Sequence, residues 1–163
     1  MPFKNSGDWT FACGSILYPP DGVLGFVYLI TAPSGMKYVG KKLFYSSIRR
    51  KPLKGTKRHR RDQKESDWRK YFGSSNDLLA ELARTGPEGW TREILCFAKS
   101  KWALSYLELK EQLARDVIMR DDYWNGLLHI RLRGQSRQFY LDNGFAVAGM
   151  ALPRPRKRNR PAK

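Results

Sequence analysis

Cysteine and histidine are scarce in this sequence of 163 residues, and their scarcity excludes two kinds of stabilisation. Cys13 and Cys96 are too few for a disulfide framework, and no CxxC pair is present. With His59 and His129 as the only histidines, a structural zinc site is not expected. Both absences favour a protein of the reducing cytoplasm.

Long apolar runs are also missing. None approaches the roughly 18 residues of a membrane helix, and the first residues lack the charged-then-apolar order of a signal peptide. We therefore expect a cytoplasmic protein with no membrane partner. The composition, 41% hydrophobic and 13% aromatic, argues against global disorder, and the length suits one domain with tails.

Acidic residues are few: 15 Asp and Glu stand against 31 Lys and Arg, which gives a net charge of +16. An excess of this size indicates a polyanionic partner, most often nucleic acid, because neutralising phosphates releases condensed counterions. A membrane surface is the alternative, but no basic amphipathic helix stands out. A merely soluble basic protein is a third interpretation, which the clustering of the charges disfavours.

The positive charge lies in two clusters that we interpret as DNA-binding. In the first cluster no acid interrupts the ten basic residues Lys41, Lys42, Arg49, Arg50, Lys51, Lys54, Lys57, Arg58, Arg60 and Arg61, and Arg69 follows shortly after it. The second cluster alternates with prolines and contains Arg154, Arg156, Lys157, Arg158, Arg160 and Lys163. Prolines keep such a tail extended, so we expect a disordered basic arm there, although a nuclear-localisation signal would look similar.

Local patterns predict the main elements. Two β-rich runs, 25–31 and 36–43, flank the turn formers 32–35 and read as a hairpin. The basic stretch after it, with a turn at 52–55, forms either a second ribbon or a loop. A short helix stops at Gly86-Pro87, a strand follows at 90–97, and Ser100 caps a longer helix that ends near Asp121.

This order predicts an α/β (α+β) fold, in which a small three-stranded antiparallel sheet is flanked by helices. Residues 1–22 carry Gly, Pro and Ser and are interpreted as an irregular N-terminal arm. The folded domain spans 23–132 and contains a basic insertion at 41–65. Residues 133–163 form a C-terminal extension with the basic tail.

Two tyrosines are the first candidates for chemistry. Tyr28 and Tyr38 lie on the two arms of the predicted hairpin, so folding brings them close together. Gly40 shares the sheet face of Tyr38 and removes a side chain there, which would let a nucleic-acid backbone approach; Lys42 is next on that face. Two phenols and a cation make a floor for a scissile phosphate. Paired tyrosines on a hairpin are, however, more often packing residues.

Phe26-Val27-Tyr28 followed by Tyr38-Val39-Gly40 resembles the GIY…YIG signature of the GIY-YIG endonuclease superfamily, with the first glycine displaced to Gly25. Later elements are similar in order: 68–75 resembles the small phage-type members, and 90–95 resembles their third strand. Glu108 on a helix and Asn125 beyond it resemble the metal-binding glutamate and the downstream asparagine of the family. The resemblance covers residues 24–130.

The resemblance implies metal-dependent hydrolysis of DNA phosphodiester bonds, with 23–132 as the nuclease domain. Glu108 would hold one divalent cation, Mg²⁺ or Mn²⁺, with Glu111 as the fallback ligand. Tyr28, or water that it orients, would act as the general base, provided that nearby cations favour the phenolate. Tyr38 would position water or phosphate, and Asn125 would form hydrogen bonds within the site.

The family usually places an arginine, often with a histidine one turn later, on the helix after the second signature. Here no R-x-x-x-H pattern occurs. The candidates for the catalytic arginine are Arg58, Arg60, Arg61 and Arg69; we favour Arg60, and Lys42 would share the role. Arginine suits phosphate because its fork matches two oxygens at once.

Three functions compete at this stage. The first is an endonuclease of phage or mobile-element origin, with a homing or host-DNA-degrading role in the host cytoplasm. The second is a non-catalytic nucleic-acid-binding or packaging protein that retains the fold, and the third is a basic RNA-binding protein. Double-strand cleavage would require a homodimer or sequential nicking. Because no separate recognition domain is evident, we expect low sequence preference unless a partner protein supplies specificity.

Overall fold

The computed structural model describes residues 8–12, 14–55, 57–128 and 131–146. In these residues the strands are β1 Trp9–Phe11, β2 Gly14–Ser15, β3 Gly25–Thr31, β4 Lys37–Leu43, β5 Tyr45–Arg50, β6 Arg60–Glu65 and β7 Thr91–Ala98. The helices are α1 Asn76–Thr85, α2 Lys101–Ala114 and α3 Arg137–Asp142, and a 3₁₀ turn spans Trp68–Lys70. The chain divides into two units, Met1–Ile130 and Arg131–Lys163.

The main sheet has the strand order β2-β1-β7-β3-β4. The predicted hairpin is present: β3 and β4 pair antiparallel from Gly25↔Leu43 to Thr31↔Lys37. The strand predicted at 90–97 is also present and pairs antiparallel with β3. The fold is therefore mixed α+β, with a sheet flanked by helices.

The prediction of three antiparallel strands is wrong, because the sheet has five strands and β1 runs parallel to β7. The two additional strands come from the segment that we had interpreted as an irregular arm. Trp9 is the reason for this difference. Its side chain is buried, and its indole Nε1 donates a hydrogen bond to the carbonyl oxygen of Trp68 at 2.6 Å. Burial of one large aromatic side chain outweighs the turn-forming residues around it.

Side chains alternate across β3, so the two sheet faces have different partners. Phe26, Tyr28 and Ile30 belong to a buried cluster that also contains Trp68 of the 3₁₀ turn and Leu78 of α1. The opposite face is covered by α2, which packs on β3, β4 and β7. β4 is the edge strand of the sheet, and it therefore borders both layers.

The basic insertion forms a ribbon, one of the two alternatives left open by the sequence. We use "the ribbon" for β5, β6 and the connection 51–59 between them. β5 and β6 pair antiparallel in a sheet of their own. A backbone hydrogen bond from Ser66 N to Phe44 O, 2.8 Å long, closes its base. Lys41 and Lys42 lie outside the ribbon because they belong to β4.

The two longer helices begin and end for local reasons. Ser75 and Ser100 cap α1 and α2 through their side-chain oxygens, as predicted for Ser100. α1 stops at Gly86, as predicted, where φ is +74°. α2 ends at Ala114 rather than near Asp121, because Asp116 adopts a positive φ of 49°. The described residues contain no helix long and apolar enough to span a membrane.

In the second unit the structure describes residues 131–146. Ser136 caps the short helix α3 by accepting a hydrogen bond from Phe139 N. The hydroxyl of Tyr140 accepts a hydrogen bond from Gln135 N at 2.9 Å, which holds the preceding turn against the helix. The basic residues Arg154, Arg156, Lys157 and Arg158 lie outside the described residues.

Candidate active site at the edge of the sheet

The two signature tyrosines are neighbours, as predicted: the ring centroids of Tyr28 and Tyr38 are 6.2 Å apart. Gly40 has a different use from the one expected. It lies opposite Tyr28 in the hairpin, and a Cβ atom at position 40 would be 2.4 Å from the Tyr28 hydroxyl. The missing side chain makes room for Tyr28 and not for a nucleic-acid backbone, so that interpretation is wrong.

Tyr28 is buried, with 1% of its surface exposed, and its environment favours the neutral phenol. Burial raises its pKa well above the ordinary value, and charge interactions with Tyr71 and Tyr38 raise it further. The sequence analysis makes Tyr28 a base on the condition that nearby cations favour the phenolate; in the structure, burial and the neighbouring tyrosines favour the neutral phenol instead. At neutral pH the Tyr28 hydroxyl is therefore a hydrogen-bond donor.

Tyr71 forms a group of three tyrosines with Tyr28 and Tyr38. Its ring centroid is 5.9 Å from that of Tyr28, and the two side chains form a hydrogen bond. Lys42 covers the other side of Tyr71, with its Nζ atom 3.6 Å from the ring centroid. Lys42 also contacts Asp67 at 2.6 Å, so its charge is already balanced.

Tyr38 is half-buried and reaches the surface at the edge of the sheet. Its hydroxyl lies 3.1 Å from the Ser74 hydroxyl. Burial raises the pKa of Tyr38, and the hydrogen bond with Ser74 opposes that shift. Gly73 fits closely here: its φ is +95°, and a Cβ atom would approach the Tyr38 ring to 3.3 Å. The segment after the 3₁₀ turn therefore positions the Tyr38 hydroxyl.

Glu108 projects from α2 into a cleft of about 430 Å³ beside β4. We call it the cleft; its lining includes Tyr38, Lys41, Ser75, Glu108, Gln112 and Asn125. The Glu108 side chain is 18% exposed, and its Oε2 atom lies 2.8 Å from Lys41 Nζ. Lys41 also donates to the Ser105 hydroxyl at 3.0 Å. Tyr38 and Lys41 project from opposite faces of β4. Both line the cleft because the cleft extends around the free edge of this strand.

Asn125 lines the cleft and holds the strand that carries Tyr38. Its side chain accepts a hydrogen bond from Val39 N at 2.9 Å and donates one to Val39 O at 2.7 Å. Gln112 donates to the same carbonyl oxygen at 3.3 Å. Asn125 is buried, with 6% of its surface exposed, so both polar ends of its amide are used by the backbone. Its geometry is that of a positioning residue.

The donors in the cleft are compatible with one hard divalent cation. The described residues contain no group of three or more His, Cys, Asp or Glu side chains that would form a closed metal cage. Mg²⁺ is commonly held through one or two carboxylates, with water and substrate phosphate completing its shell. Glu108 supplies one carboxylate on an open cleft. Glu111, the fallback ligand, forms an ion pair with Arg115 instead.

The arginines favoured for catalysis lie elsewhere. Arg60, Arg58 and Arg61 line a groove of about 1090 Å³ on the ribbon, and Arg60 does not line the cleft. Arg69 contacts Glu65 at 3.0 Å and donates to the Leu17 carbonyl. Among the described residues, the one cation that lines the cleft is Lys41.

The other predicted DNA-binding residues lie on the ribbon. Its groove is lined by Ser47, Arg49, Lys57, Arg58, His59, Arg60 and Arg61. Arg50 forms an ion pair of 2.7 Å with Asp62. Lys54 is exposed in the turn at the end of the ribbon. The ribbon thus gathers the charge of the first basic cluster, apart from Lys41 and Lys42 of β4, in a sheet separate from the main one.

Arg92 is a buried residue that the sequence analysis missed. It is 5% exposed and donates hydrogen bonds to the carbonyl oxygens of Arg69 and Tyr71, at 3.0 and 2.9 Å. Burial lowers its pKa to about 10. Arg92 thereby holds the segment that carries Tyr71 against the sheet. The signal was available, because Arg92 occupies an inward position of a strand between buried Trp90 and Ile94.

Fold and site together define a mixed α+β protein with a tyrosine and a helical glutamate at one sheet edge and a second tyrosine buried beneath the first. Residues 9–128 match the family described as "Putative endonuclease segE, GIY-YIG domain". The chain therefore belongs to this GIY-YIG endonuclease family, as the resemblance implied. The match begins at Trp9, so the first strand of the sheet lies within the family domain. Neither a curated protein nor a solved structure matches the chain significantly.

Proposed function

We propose that this protein is a divalent-metal-dependent endonuclease that hydrolyses phosphodiester bonds in DNA. One observation carries the proposal: the Tyr38 hydroxyl and the Glu108 carboxylate line the same cleft, beside the cation of Lys41. A carboxylate for a metal ion, a hydroxyl donor and an ammonium group suit a phosphate whose negative charge increases during attack.

Glu108 would hold one Mg²⁺ or Mn²⁺, which when bound offsets the charge on the phosphate and the leaving oxygen. Tyr38, neutral at physiological pH, donates a hydrogen bond to a phosphate oxygen or orients the attacking water. Lys41, which is paired with Glu108 in the structure, would supply a positive charge for a second phosphate oxygen. These three residues divide the work of binding, orienting and charge compensation.

Tyr28 has a supporting role in this proposal and is not the general base. Its raised pKa makes the phenolate scarce at neutral pH, and its side chain lies beneath Tyr38 rather than on the cleft. It fixes the ring of Tyr38 from below. Asn125 and Gln112 fix the same strand through the Val39 peptide. Preorganisation of this kind lowers the cost of reaching the transition state.

Duplex DNA would be held by the basic surface outside the cleft, chiefly the ribbon and the basic tail. The net charge of +16 supports this part of the proposal. A phage or mobile-element setting, with a homing or host-DNA-degrading role in the host cytoplasm, belongs to the proposal as well. The resemblance of residues 68–75 to the small phage-type members is the observation behind this setting.

A non-catalytic nucleic-acid-binding or packaging protein is the second candidate. The observation in its favour is that Lys41 already neutralises Glu108, and that none of the described arginines lines the cleft. The ribbon alone would suffice for binding. Against it stands the cleft itself, since binding to a polyanion has no need of a carboxylate.

Relaxation of supercoiled plasmid tests the proposal. We expect nicking with Mg²⁺ or Mn²⁺ and none with EDTA, while retention of the plasmid in a gel-shift assay is the same in both. Calcium serves as the matched control, because it occupies oxygen sites yet often fails to support catalysis. Retention without nicking, across metals and over pH 6–9, would establish the binding protein instead.

A further inference from the structure

We propose that the ribbon reads DNA sequence by entering the major groove with the face that carries Arg49, Arg61 and Gln63. This inference rests on duplex DNA as the substrate, as proposed above. It deepens that proposal by naming the element that selects the cleavage site. It also replaces the expectation, drawn from the sequence, of low sequence preference.

The dimensions of the ribbon suit this role. Each of its strands has six residues, which corresponds to a length of about 20 Å. The major groove, about 12 Å wide, admits a two-stranded β-ribbon. In the described part of the chain β5 and β6 pair only with each other. Their side chains are exposed except for half-buried Ile48 and Asp62, so both faces are available to a ligand.

The strand register divides the ribbon into two faces. Directly paired residues share a face, and successive pairs alternate between faces. One face carries the pairs Ser47↔Gln63 and Arg49↔Arg61, and we call it the reading face. The opposite face carries the pairs Ile48↔Asp62 and Arg50↔Arg60.

The two faces differ in charge balance. On the opposite face Asp62 lies 2.7 Å from Arg50 and neutralises it, while Arg60 has no ion pair with a described residue. Arg49 and Arg61 of the reading face form no ion pair with any residue that the structure describes. Glu65, the acid at the base of this face, is occupied by Trp68 and Arg69. The reading face therefore presents two unneutralised guanidinium groups and two neutral polar side chains.

This arrangement costs stability unless a ligand compensates for it. Like charges directly opposite each other on a ribbon are destabilising, and Arg49↔Arg61 is such a pair. Neither arginine is used in an ion pair by the residues that the structure describes. The donor set fits base edges: an arginine fork matches guanine O6 and N7, and a glutamine amide matches adenine N6 and N7. The neighbouring groove of about 1090 Å³ is far larger than one phosphate needs.

Sequence selection with a catalytically inactive protein tests the inference without any cleavage. The Glu108→Gln variant is mixed with a pool of duplexes of random sequence in EDTA, and the bound duplexes are sequenced. We expect enrichment of a short motif that contains guanine. A bound pool with the composition of the input would overturn the inference.

Charge-preserving variants locate the reading face. The double variant R49K/R61K keeps both charges and removes both forks, so we expect the same salt dependence and a loss of about tenfold or more in preference for the selected motif. The matched control, R50K/R60K on the opposite face, should keep the preference. Equal loss in both variants, or none in R49K/R61K, would overturn the assignment.

The outcome is independent of whether the chain cuts DNA. Selective binding that depends on Arg49 and Arg61, in a protein that never nicks plasmid, would sustain the ribbon's role and refute the nuclease. Nicking by a protein that binds every duplex equally would support the nuclease and refute the ribbon's role in sequence selection. Binding to single-stranded DNA in preference to duplex would contradict both the role of the reading face and the choice of duplex DNA as its ligand.

Discussion

The cleft and the ribbon use polar residues in opposite ways. In the cleft the charge of Glu108 is balanced by Lys41, and the buried amide of Asn125 is fully used by a backbone peptide. On the ribbon arginine lies opposite arginine in two consecutive pairs, both exposed. The first region is built from compensated groups in fixed positions. In the second, Asp62 neutralises Arg50, and the other three arginines of these pairs have no ion pair with a described residue.

Under the proposed function, this difference separates the residues that carry out the chemistry from those that bind DNA. A reacting phosphate needs groups held to within a fraction of an ångström, which packing and hydrogen bonds provide. Binding to a polyanion requires basic side chains that can neutralise phosphates, and a side chain already paired with an acid of the protein contributes less to it. Changes in the cleft should therefore alter turnover or folding, and changes in the ribbon should alter affinity.

The largest expected effect is on turnover. Glu108→Gln removes the negative charge that would hold the metal ion. A bound metal ion stabilises the transition state by several kcal/mol, and about 4 kcal/mol corresponds to a 1,000-fold change in rate, so we expect plasmid nicking to fall by about 1,000-fold. Duplex affinity should change by no more than about twofold. Single-turnover cleavage and a gel-shift titration measure the two quantities.

Glu111→Gln is the matched control, on the same helix and engaged with Arg115. It should cleave at nearly the wild-type rate. If Glu111→Gln abolishes nicking and Glu108→Gln does not, the metal role belongs to the fallback residue and the cleft has been misassigned.

The second effect is on affinity. Replacing Arg58, Arg60 and Arg61 by glutamine removes three charges, so the slope of log affinity against log salt should fall by about 2.7. We expect about 10–100-fold weaker binding at physiological salt, with an unchanged cleavage rate at saturating protein. Fluorescence anisotropy over a salt series checks this prediction.

Three exposed cations outside the ribbon, Lys70, Arg84 and Lys99, provide the control for net charge. Their replacement by glutamine should change the salt slope much less. An equal fall of the salt slope in both triple variants would mean that DNA affinity depends only on the net charge of the protein. The ribbon would then have no special role in binding.

The third effect is on folding. Gly40→Ala would place a methyl group 2.4 Å from the Tyr28 hydroxyl, so we expect the free energy of unfolding to fall by about 1–3 kcal/mol. Gly126→Ala, with nothing within 4 Å of the added atom, should change it little. Urea denaturation of both variants provides the measurement. Equal stabilities would show that the packing between Gly40 and Tyr28 is looser than their contact indicates.

The smallest effect concerns alkaline pH. Because the folded-state pKa of Tyr28 is raised, the unfolded chain loses this proton first, and stability present below about pH 10 declines as the pH rises further. Tyr28→Phe should make this decline shallower, by up to about 1.4 kcal/mol per pH unit. Tyr45→Phe, on the exposed ribbon, is the control for urea unfolding between pH 8 and 11. The same change in both variants would contradict a buried phenol.

The hairpin and its tyrosines could be predicted because their signals are local. Alternating apolar residues and the turn before Met36 determine which side chains of β3 and β4 share a face. α2 was predicted from Ser100 and an apolar stripe. The position of Glu108 relative to the tyrosines came from the family resemblance, since spacing on a helix cannot say which strand edge the helix will face.

The missed features depend on contacts between distant segments. Asn125 and Val39 are 86 residues apart, and Tyr71 meets Tyr28 across the hydrophobic core. We placed Lys42 in the site because it shares a face with Tyr38, yet Lys41 lines the cleft. The alternation rule applies to the two flat faces of a sheet, and it fails at an edge strand, where side chains of both faces reach one solvent-filled space.

The hydrogen bonds between Asn125 and Val39 also set an order of events during biosynthesis. Translation delivers both signature tyrosines early, the helical glutamate much later, and the residue that clasps the edge strand later still. Until residue 125 has left the ribosome, the nascent chain lacks the side chain that fixes the Val39 peptide, so the proposed catalytic centre is the last part of the first unit to be completed.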